Sequence, residues 1–358
     1  MQDANLIVFV VYSLRGGGAE RVVSRLSNEI AKDREVHIVL LSNEKSFYKL
    51  SPEIVIHSPD FPKPHKLKFI YFLKLGLYIR KCIKGIKPAS VVSFGESINS
   101  FVLLSLMGIN VKKFVSNRAS PLSNMTGFRG IVNPIFYPLA DKVIVQTRKA
   151  VEIMKPKYNW CKFAVLPNPI DIPDKVTPLL DREKNIINVG YLGGRKNQAE
   201  LIKVFSELDN KEGWKLQLVG DGPDRAKLEE QVETLGLTKS VEFLGARKDV
   251  PELLDNARIF AFTSLTEGFP NALAEAMAAG CACISYDIIT GPSELLGEGT
   301  YGELIKSGPN RTSMLKNKIE CMLKNDNRQL YQYSIRARKG TERYSIQNVN
   351  ESFINIIT

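Results

Sequence analysis

Two glutamates eight positions apart, Glu267 and Glu275, frame a Gly-Phe-Pro turn and an alanine-rich run in the stretch TEGFPNALAEA, 266–276. A carboxylate pair can act as acid and base on either side of a bond, or it can accept the paired hydroxyls of a bound polyol. Pro270 suits a helix start, so Glu267 is expected in the preceding loop and Glu275 one to two turns into the helix, facing inward. Such a pair does not share one helical face, and nothing in the spacing demands acid–base work. Taken alone, the stretch also fits a plain capping charge at Glu267 and an ordinary ion pair at Glu275.

Two further groups have types suited to phosphate. In VGYLGGRKNQAELIKVF, Arg195 and Lys196 stand where a strand ends and a helix begins, and two cations beside free helical amides suit a diphosphate. A solvated helix start has the same appearance. In SLRGGGAERVVSRL the glycines 16–18 join a strand to a helix, where backbone N–H groups can meet a phosphate and the missing side chains allow close approach. The loop is no dinucleotide fingerprint, because Arg21 occupies the third glycine position, and no Walker A, because Gly-Lys-Ser/Thr is absent. A simple strand-to-helix turn remains open. The turn Gly220–Gly222, with Pro223 placed to begin a helix, reads as architectural.

Residues of this kind need elements to carry them. Apolar runs at 6–12, 35–41, 89–94, 111–116 and 141–146 alternate with helical stretches, the pattern of a parallel sheet flanked by helices. It stops in VLPNPIDIPDKVTP, whose four prolines in fourteen residues discourage helix and central strand alike. It restarts with runs at 186–192, 215–220, 241–245, 257–264 and 281–287. The fold class is therefore α/β, with two Rossmann-like doubly wound domains facing across a cleft. The expected division is residues 1–170, a linker at 171–184, a second domain at 185–338, and a C-terminal helix in 339–358 returning to the first. Ligands sit at the carboxyl ends of such strands, and a cleft between two sheets suits two substrates.

The totals agree with two packed domains: 358 residues, 44% hydrophobic, without repeats or low-complexity blocks. Residues 1–170 carry 25 Lys/Arg against 11 Asp/Glu and the remainder 24 against 27, so the first part is strongly basic. An anionic partner follows, nucleic acid or a phospholipid surface, unless the charge serves solubility alone. No interleaved aromatic and basic platform speaks for nucleic acid. The longest apolar run is seven residues, Leu6–Tyr12, and MQDAN is no basic leader, so neither a spanning helix nor a signal peptide is expected. Five cysteines without CxxC spacing suggest a reduced, cytosolic chain.

Taken together, E-x7-E with AMAAGCACISYD and GPSELL, VLPNPID, the VG-L-K pattern of 189–196, GDGP…LGL…V-FLG over 220–245, and GGGAERV resemble the retaining glycosyltransferase family 4 of GT-B architecture. The likeness runs in order through most of the chain. It implies transfer of a hexose or N-acetylhexosamine from a UDP-sugar to a hydroxyl of a lipid-linked glycan, of undecaprenyl-diphosphate type, with retention at the anomeric carbon and without a metal or other cofactor. By the same resemblance Glu275 accepts the ribose hydroxyls and Glu267 those of the donor sugar. Lys196, with Arg195, meets the phosphates, the backbone of Asn271, Ala272 and Leu273 receives the distal phosphate, and Gly17 and Gly18 close over the diphosphate. Gly222 falls among the donor-binding residues too. Each fixed donor aimed at the departing charge is worth roughly 2–4 kcal/mol.

Two positions depart from the family pattern. Tyr191 stands where an arginine is usual, leaving Arg195 to substitute, and a first-domain histidine is missing where SNRASP (116–121) lies, leaving Arg118 or Asn117 to take over. SNRASP and YDIITGPSE are similar to the subgroup that builds bacterial surface polysaccharides, O-antigen or capsule, at the cytoplasmic face of the cell membrane. Residues 63–88 read as an amphipathic basic helix that suits such a site, or as a helix packed on the sheet with an ordinary charged face. A helical projection puts Lys63, Lys66, Lys74, Lys81 and Lys84 on one arc, with Leu67, Tyr71, Leu75, Ile79, Cys82 and Ile86 mostly opposite and Ile70, Leu73 and Leu77 inside the basic arc. The rival readings are a UDP-sugar epimerase or hydrolase of the same architecture and a basic nucleic-acid-binding protein.

Overall fold

The computed structural model describes residues 3–61, 68–209, 211–324 and 327–358. The first half runs β1 (Asp3–Val11), α1 (Gly18–Ile30), β2 (Val36–Leu40), β3 (Val55–His57), α2 (Lys68–Ile86), β4 (Pro88–Phe94), α3 (Asn99–Ser105), β5 (Lys112–Ser116), α4 (Pro121–Met125), α5 (Gly127–Phe136), β6 (Lys142–Val145), α6 (Arg148–Met154) and β7 (Phe163–Val165). All seven strands are parallel, in the order β3-β2-β1-β4-β5-β6-β7. The strand order reverses between β1 and β4, and such a switch point opens a crevice at the carboxyl ends. β1 is apolar on both faces because both are covered. Ile7, Phe9 and Val11 join one buried cluster and Leu6, Val8 and Val10 another.

The second half continues with β8 (Glu183–Val189), α7 (Gln198–Ser206), β9 (Lys215–Val219), α8 (Arg225–Thr234), β10 (Val241–Gly245), α9 (Val250–Asn256), β11 (Ala257–Phe262), α10 (Asn271–Ala278), β12 (Ala282–Tyr286), α11 (Pro292–Leu295), β13 (Glu303–Ile305), α12 (Arg311–Lys324) and α13 (Asn327–Thr341). Its parallel sheet has the order β10-β9-β8-β11-β12-β13, switching between β8 and β11. The chain ends in α14 (Ile346–Ile357), which packs on α1. Two compact units result, one of Met1–Pro169 with Ile346–Thr358 and one of Ile170–Ser345. Each is thus a doubly wound α/β fold.

The strands expected from apolar runs appear within three residues of their expected limits. β3, β7 and β13, three residues each at sheet edges, fall outside that expectation, because such short pieces carry no periodic signal. Pro223 does not begin a helix; α8 starts at Arg225 with Asp224 as its cap. The first break lies between Pro169 and Ile170, at the head of the proline-rich stretch, and the return to the first unit comes at Ile346. Ile170 and Ser345 are bridged, with Ile170 N donating to Tyr344 O at 2.8 Å. α2 buries Tyr71, Leu75, Ile79 and Ile83 and exposes Lys74, Lys81 and Lys84. Lys63, Lys66 and Leu67 lie outside the described residues.

Candidate functional site

The switch point of the second sheet gathers the chemistry. Lys196 closes a short 3-10 turn, Gly194–Lys196, after β8, and Glu267 lies in the loop after β11, the strand beside it. Their side chains meet: Lys196 Nζ donates to Glu267 Oε1 at 2.6 Å, with 25% and 18% of the two side chains exposed. The ammonium also lies 5.6 Å from the centre of the Phe262 ring. Two hydrogen bonds to carbonyls of the turn hold it to the end of β11, Leu265 N donating to Arg195 O at 2.8 Å and the Thr263 hydroxyl to Lys196 O at 3.1 Å. The Arg195 side chain is exposed.

Behind the pair, Asn197 takes a left-handed conformation, φ 58°, which lets the chain leave the turn and enter α7. Glu200 holds that geometry by accepting from Asn197 Nδ2, Thr312 Oγ1, Tyr286 Oη and Arg311 Nη2. Burial opposes its charge, but these hydrogen bonds, with Arg311 alongside, keep its carboxyl below the ordinary range. On the other side of Glu267, Thr290 Oγ1 donates to the Glu267 carbonyl at 2.6 Å. Gly291 follows at φ 106°, and a Cβ there would stand 2.3 Å from Pro270 Cδ. The loop after β12 therefore clamps the loop after β11.

α10 presents its N-terminus just past Glu267. Asn271 N donates to Phe269 O and Ala274 N to Pro270 O. Ala272 and Leu273 are left as first-turn amides without a main-chain acceptor among the described residues, at the positive end of the helix dipole. Glu275, half-buried, sits in the second turn. Gly222 touches main chain instead: a Cβ would lie 2.2 Å from Leu192 O, and Leu192 N is bonded to Asp221 O. Tyr191 is 60% exposed, its ring edge against Gly193.

Gly17, Gly18 and Arg118 belong to the first unit. Gly17 is the extended cap of α1, its carbonyl accepting from Tyr48 Oη at 2.9 Å, and Gly18 opens the helix. The Glu20 carboxylate curls over this N-terminus, 2.4 Å from where a Gly17 Cβ would be. Arg118, at the end of β5, is committed to internal partners. Nε donates to Ser116 Oγ at 2.8 Å, and Nη1 donates to Leu166 O and Asn168 Oδ1 at 3.0 Å each. Burial works against its charge while Glu96 supports it. Among the described residues Nη2 has no hydrogen-bond partner. Asn117 is buried and bonded to Asn99 and Tyr137.

Lys196 and Glu267 are thus in direct contact, with the Asn271–Leu273 backbone and Glu275 on the element that follows Glu267. Thr263, Thr290 and Glu200 escape a reading by residue type. Their contribution is to hold neighbours, and the one available signal is Thr290's place in the ITGPSE stretch. A cation, a carboxylate and unpaired amides at one switch point can bind a polyhydroxylated molecule that carries an anionic leaving group.

Comparison with known proteins agrees with the geometry. The family description "Glycosyltransferase Family 4" matches residues 16–173, and "Glycosyl transferases group 1" matches 171–339. A Campylobacter jejuni protein, N-acetylgalactosamine-N,N'-diacetylbacillosaminyl-diphospho-undecaprenol 4-alpha-N-acetylgalactosaminyltransferase, is 30% identical over 92% of this chain and 93% of its own. Among solved structures, the lipopolysaccharide outer core galactosyltransferase WaaB in its apo form superimposes with a TM-score of 0.79 at 21% identity, covering 98% of this chain and 99% of that one. HepE of Anabaena, solved with UDP-glucose, gives 0.76 at 18% identity with the same coverage. Neither the epimerase or hydrolase reading nor the nucleic-acid reading finds support among these relatives.

Proposed function

The chain belongs to glycosyltransferase family 4, with the GT-B pair of Rossmann-like folds, and we propose that it moves a hexose or N-acetylhexosamine from a UDP-sugar to a hydroxyl of a lipid-linked glycan in surface-polysaccharide synthesis. The Lys196–Glu267 contact of 2.6 Å at the β8/β11 switch point carries this reading. A UDP-sugar brings what each group needs: hydroxyls for Glu267 and Glu275, and a diphosphate for Lys196, Arg195 and the Ala272 and Leu273 amides. As the sugar departs with oxocarbenium character, negative charge grows on the diphosphate, and these fixed donors lower the barrier. With the diphosphate on one side, its own oxygen is placed to take the acceptor proton, and the sugar keeps its anomeric configuration without a metal ion. The UDP-glucose bound by HepE and the undecaprenyl-linked acceptor named for the Campylobacter relative support the choice of substrates.

The acceptor class also calls for work at a membrane surface, on the cytoplasmic side where nucleotide sugars are made. No helix among the described residues is long and apolar enough to cross a membrane. Attachment is then peripheral, with Lys74, Lys81 and Lys84 of α2 drawn to anionic headgroups at about 1 kcal/mol each.

Lys196→Ala should lower kcat by roughly 10²- to 10³-fold or more while the melting curve keeps its shape, and Glu275→Ala should weaken UDP binding. Calorimetric titration with UDP and a radiolabelled transfer assay separate the two effects. Wild-type turnover in Lys196→Ala would refute the assignment.

A further inference from the structure

The far end of α1 carries polar side chains that the fold leaves unused. α1 runs back from the Gly17 loop to the amino edge of the first sheet, where residues 31–35 turn into β2 and Ile7 N donates to Glu35 O at 3.0 Å. α14 ends at the same edge. Ser90 Oγ, near the start of β4, donates to Ile357 O at 3.0 Å, and Lys142 Nζ, on the first residue of β6, donates to Ile356 O at 2.7 Å. Between the two helices lies a cavity of about 270 Å³. Ile30, Asp33 and Arg34 line it from the end of α1, and Asn350, Glu351, Ile354 and Asn355 from α14. On α14 the pairs 350/354 and 351/355 stand four residues apart, so all four share one side of the helix.

Five of these seven side chains are polar or charged, and among the described residues none of the five has a hydrogen bond or an ion pair. Asn350 Oδ1 is moreover buried. A buried acceptor without a donor is costly, and such groups as a rule have a partner. The floor is apolar: Ile30 is buried, and Ile354 packs on the same core cluster. The rim is mixed, with Asp33, Glu351 and Asn355 exposed and Arg34 half-buried.

This mixture selects a ligand. Asp33 and Glu351 accept hydrogen bonds, Arg34 donates, and the two carboxamides do both. A phosphate would face two carboxylates against one guanidinium, and a metal cation would face the guanidinium. An apolar ligand would leave all five groups unpaired. A neutral pyranose brings hydroxyls that both give and take hydrogen bonds, and a C–H face for the two isoleucines. The volume is at the small end for ligand pockets, enough for about one or two sugar rings.

We propose that the cavity between α1 and α14 is a saccharide site, distinct from the donor site, that takes a neutral hexose or N-acetylhexosamine unit of a glycan. It lies at the opposite edge of the sheet from the Gly17 loop, about 20 Å away along the thirteen residues of α1. Its use rests on the glycan acceptor proposed above, since a glycan held here as well as at its reacting end binds more tightly than through either contact alone. The binding itself does not depend on that reading.

Saturation-transfer NMR on the full-length protein with saturating UDP tests it, using the methyl glycosides of glucose, galactose, N-acetylglucosamine and N-acetylgalactosamine. At least one should bind with a Kd of about 1–10 mM and slow amide exchange in residues 350–355. Asn350→Leu, which removes the unpaired oxygen at nearly constant volume, and Asp33→Ala should each weaken that binding roughly tenfold. Neither should alter the UDP-induced thermal shift. Asn355→Ala, on the exposed rim, should give the same loss and repeats the test if either of the others melts early. Silence from all four glycosides, binding that these variants leave intact, or exchange protection confined to the second unit would each overturn the proposal. Displacement of the glycoside by inorganic phosphate or calcium would overturn it too. Lys196→Ala should bind the glycosides like the wild type, so loss of the transfer chemistry would leave this result standing, and normal transfer without glycoside binding would remove this site alone.

Discussion

Gly222 and Gly194 both stand in glycine-rich turns of the second unit, but their surroundings differ. A Cβ on Gly222 would be driven to 2.2 Å from a carbonyl oxygen of the neighbouring turn, whereas around Gly194 nothing lies within 4 Å. Main chain yields far less than a flexible side chain, so Gly222→Ala should cost about 1–3 kcal/mol and Gly194→Ala little. Urea unfolding of the two variants checks this, and equal stability would show that the 190–192 turn can move aside. The same contrast separates Lys196 from Arg195. The side chain of one is held by a carboxylate and a ring, that of the other is exposed. Preorganised charge is the kind that lowers a barrier, and for that reason the proposed chemistry leans on Lys196.

α7 starts where Lys196 ends, and its third residue, Glu200, binds the start of that helix to the end of β12 through Tyr286 and to α12 through Arg311 and Thr312. Its lowered pKa is therefore a statement about stability. The contribution of the carboxylate is present above the unfolded pKa of about 4.3 and is lost as pH falls through the lower folded value. Glu200→Gln should be less stable than the wild type at neutral pH, with the gap narrowing below about pH 4. Denaturant titrations at both pH values measure it, and a gap that does not change with pH would mean that Glu200 acts by packing alone. α5 shows the opposite use of a helix: Phe128, Ile131 and Ile135 are turned away from the buried core.

The chain leaves the first unit at Pro169 and re-enters it at Ile346, so the first core is completed only by the last thirteen residues. Phe353, fully buried, stacks on Phe9 of the central strand at 5.6 Å, and Lys142 Nζ donates to Ile356 O at the end of α14. Phe353→Ala should destabilise the first unit by about 3–5 kcal/mol. Hydrogen exchange would then show faster opening of β1 and β4 with β8 and β11 unaffected, and a uniform change across both sheets would contradict two separate cores. The charge is divided on similar lines, the basic excess lying in residues 1–170, the part that holds the apolar outward helices.

Local properties carry much of this molecule. Apolar runs of both-face-buried strands, the proline-rich break and the ordered motifs are each written in consecutive residues of the sequence. The central strands, the fold class, the family and the placement of Glu267 in a loop ahead of a helix with Glu275 follow from them. What no local pattern carries is which distant residues meet. Lys196 and Glu267, 71 residues apart, touch because β8 and β11 pair although two strands intervene in the sequence. Arg118 is turned inward because Leu166 and Asn168 return beside it. α5 defeats the usual rule outright: Phe and Ile at helical spacing read as core, and only the packed structure, with Asn133 already bonded beneath, reveals that they face outward.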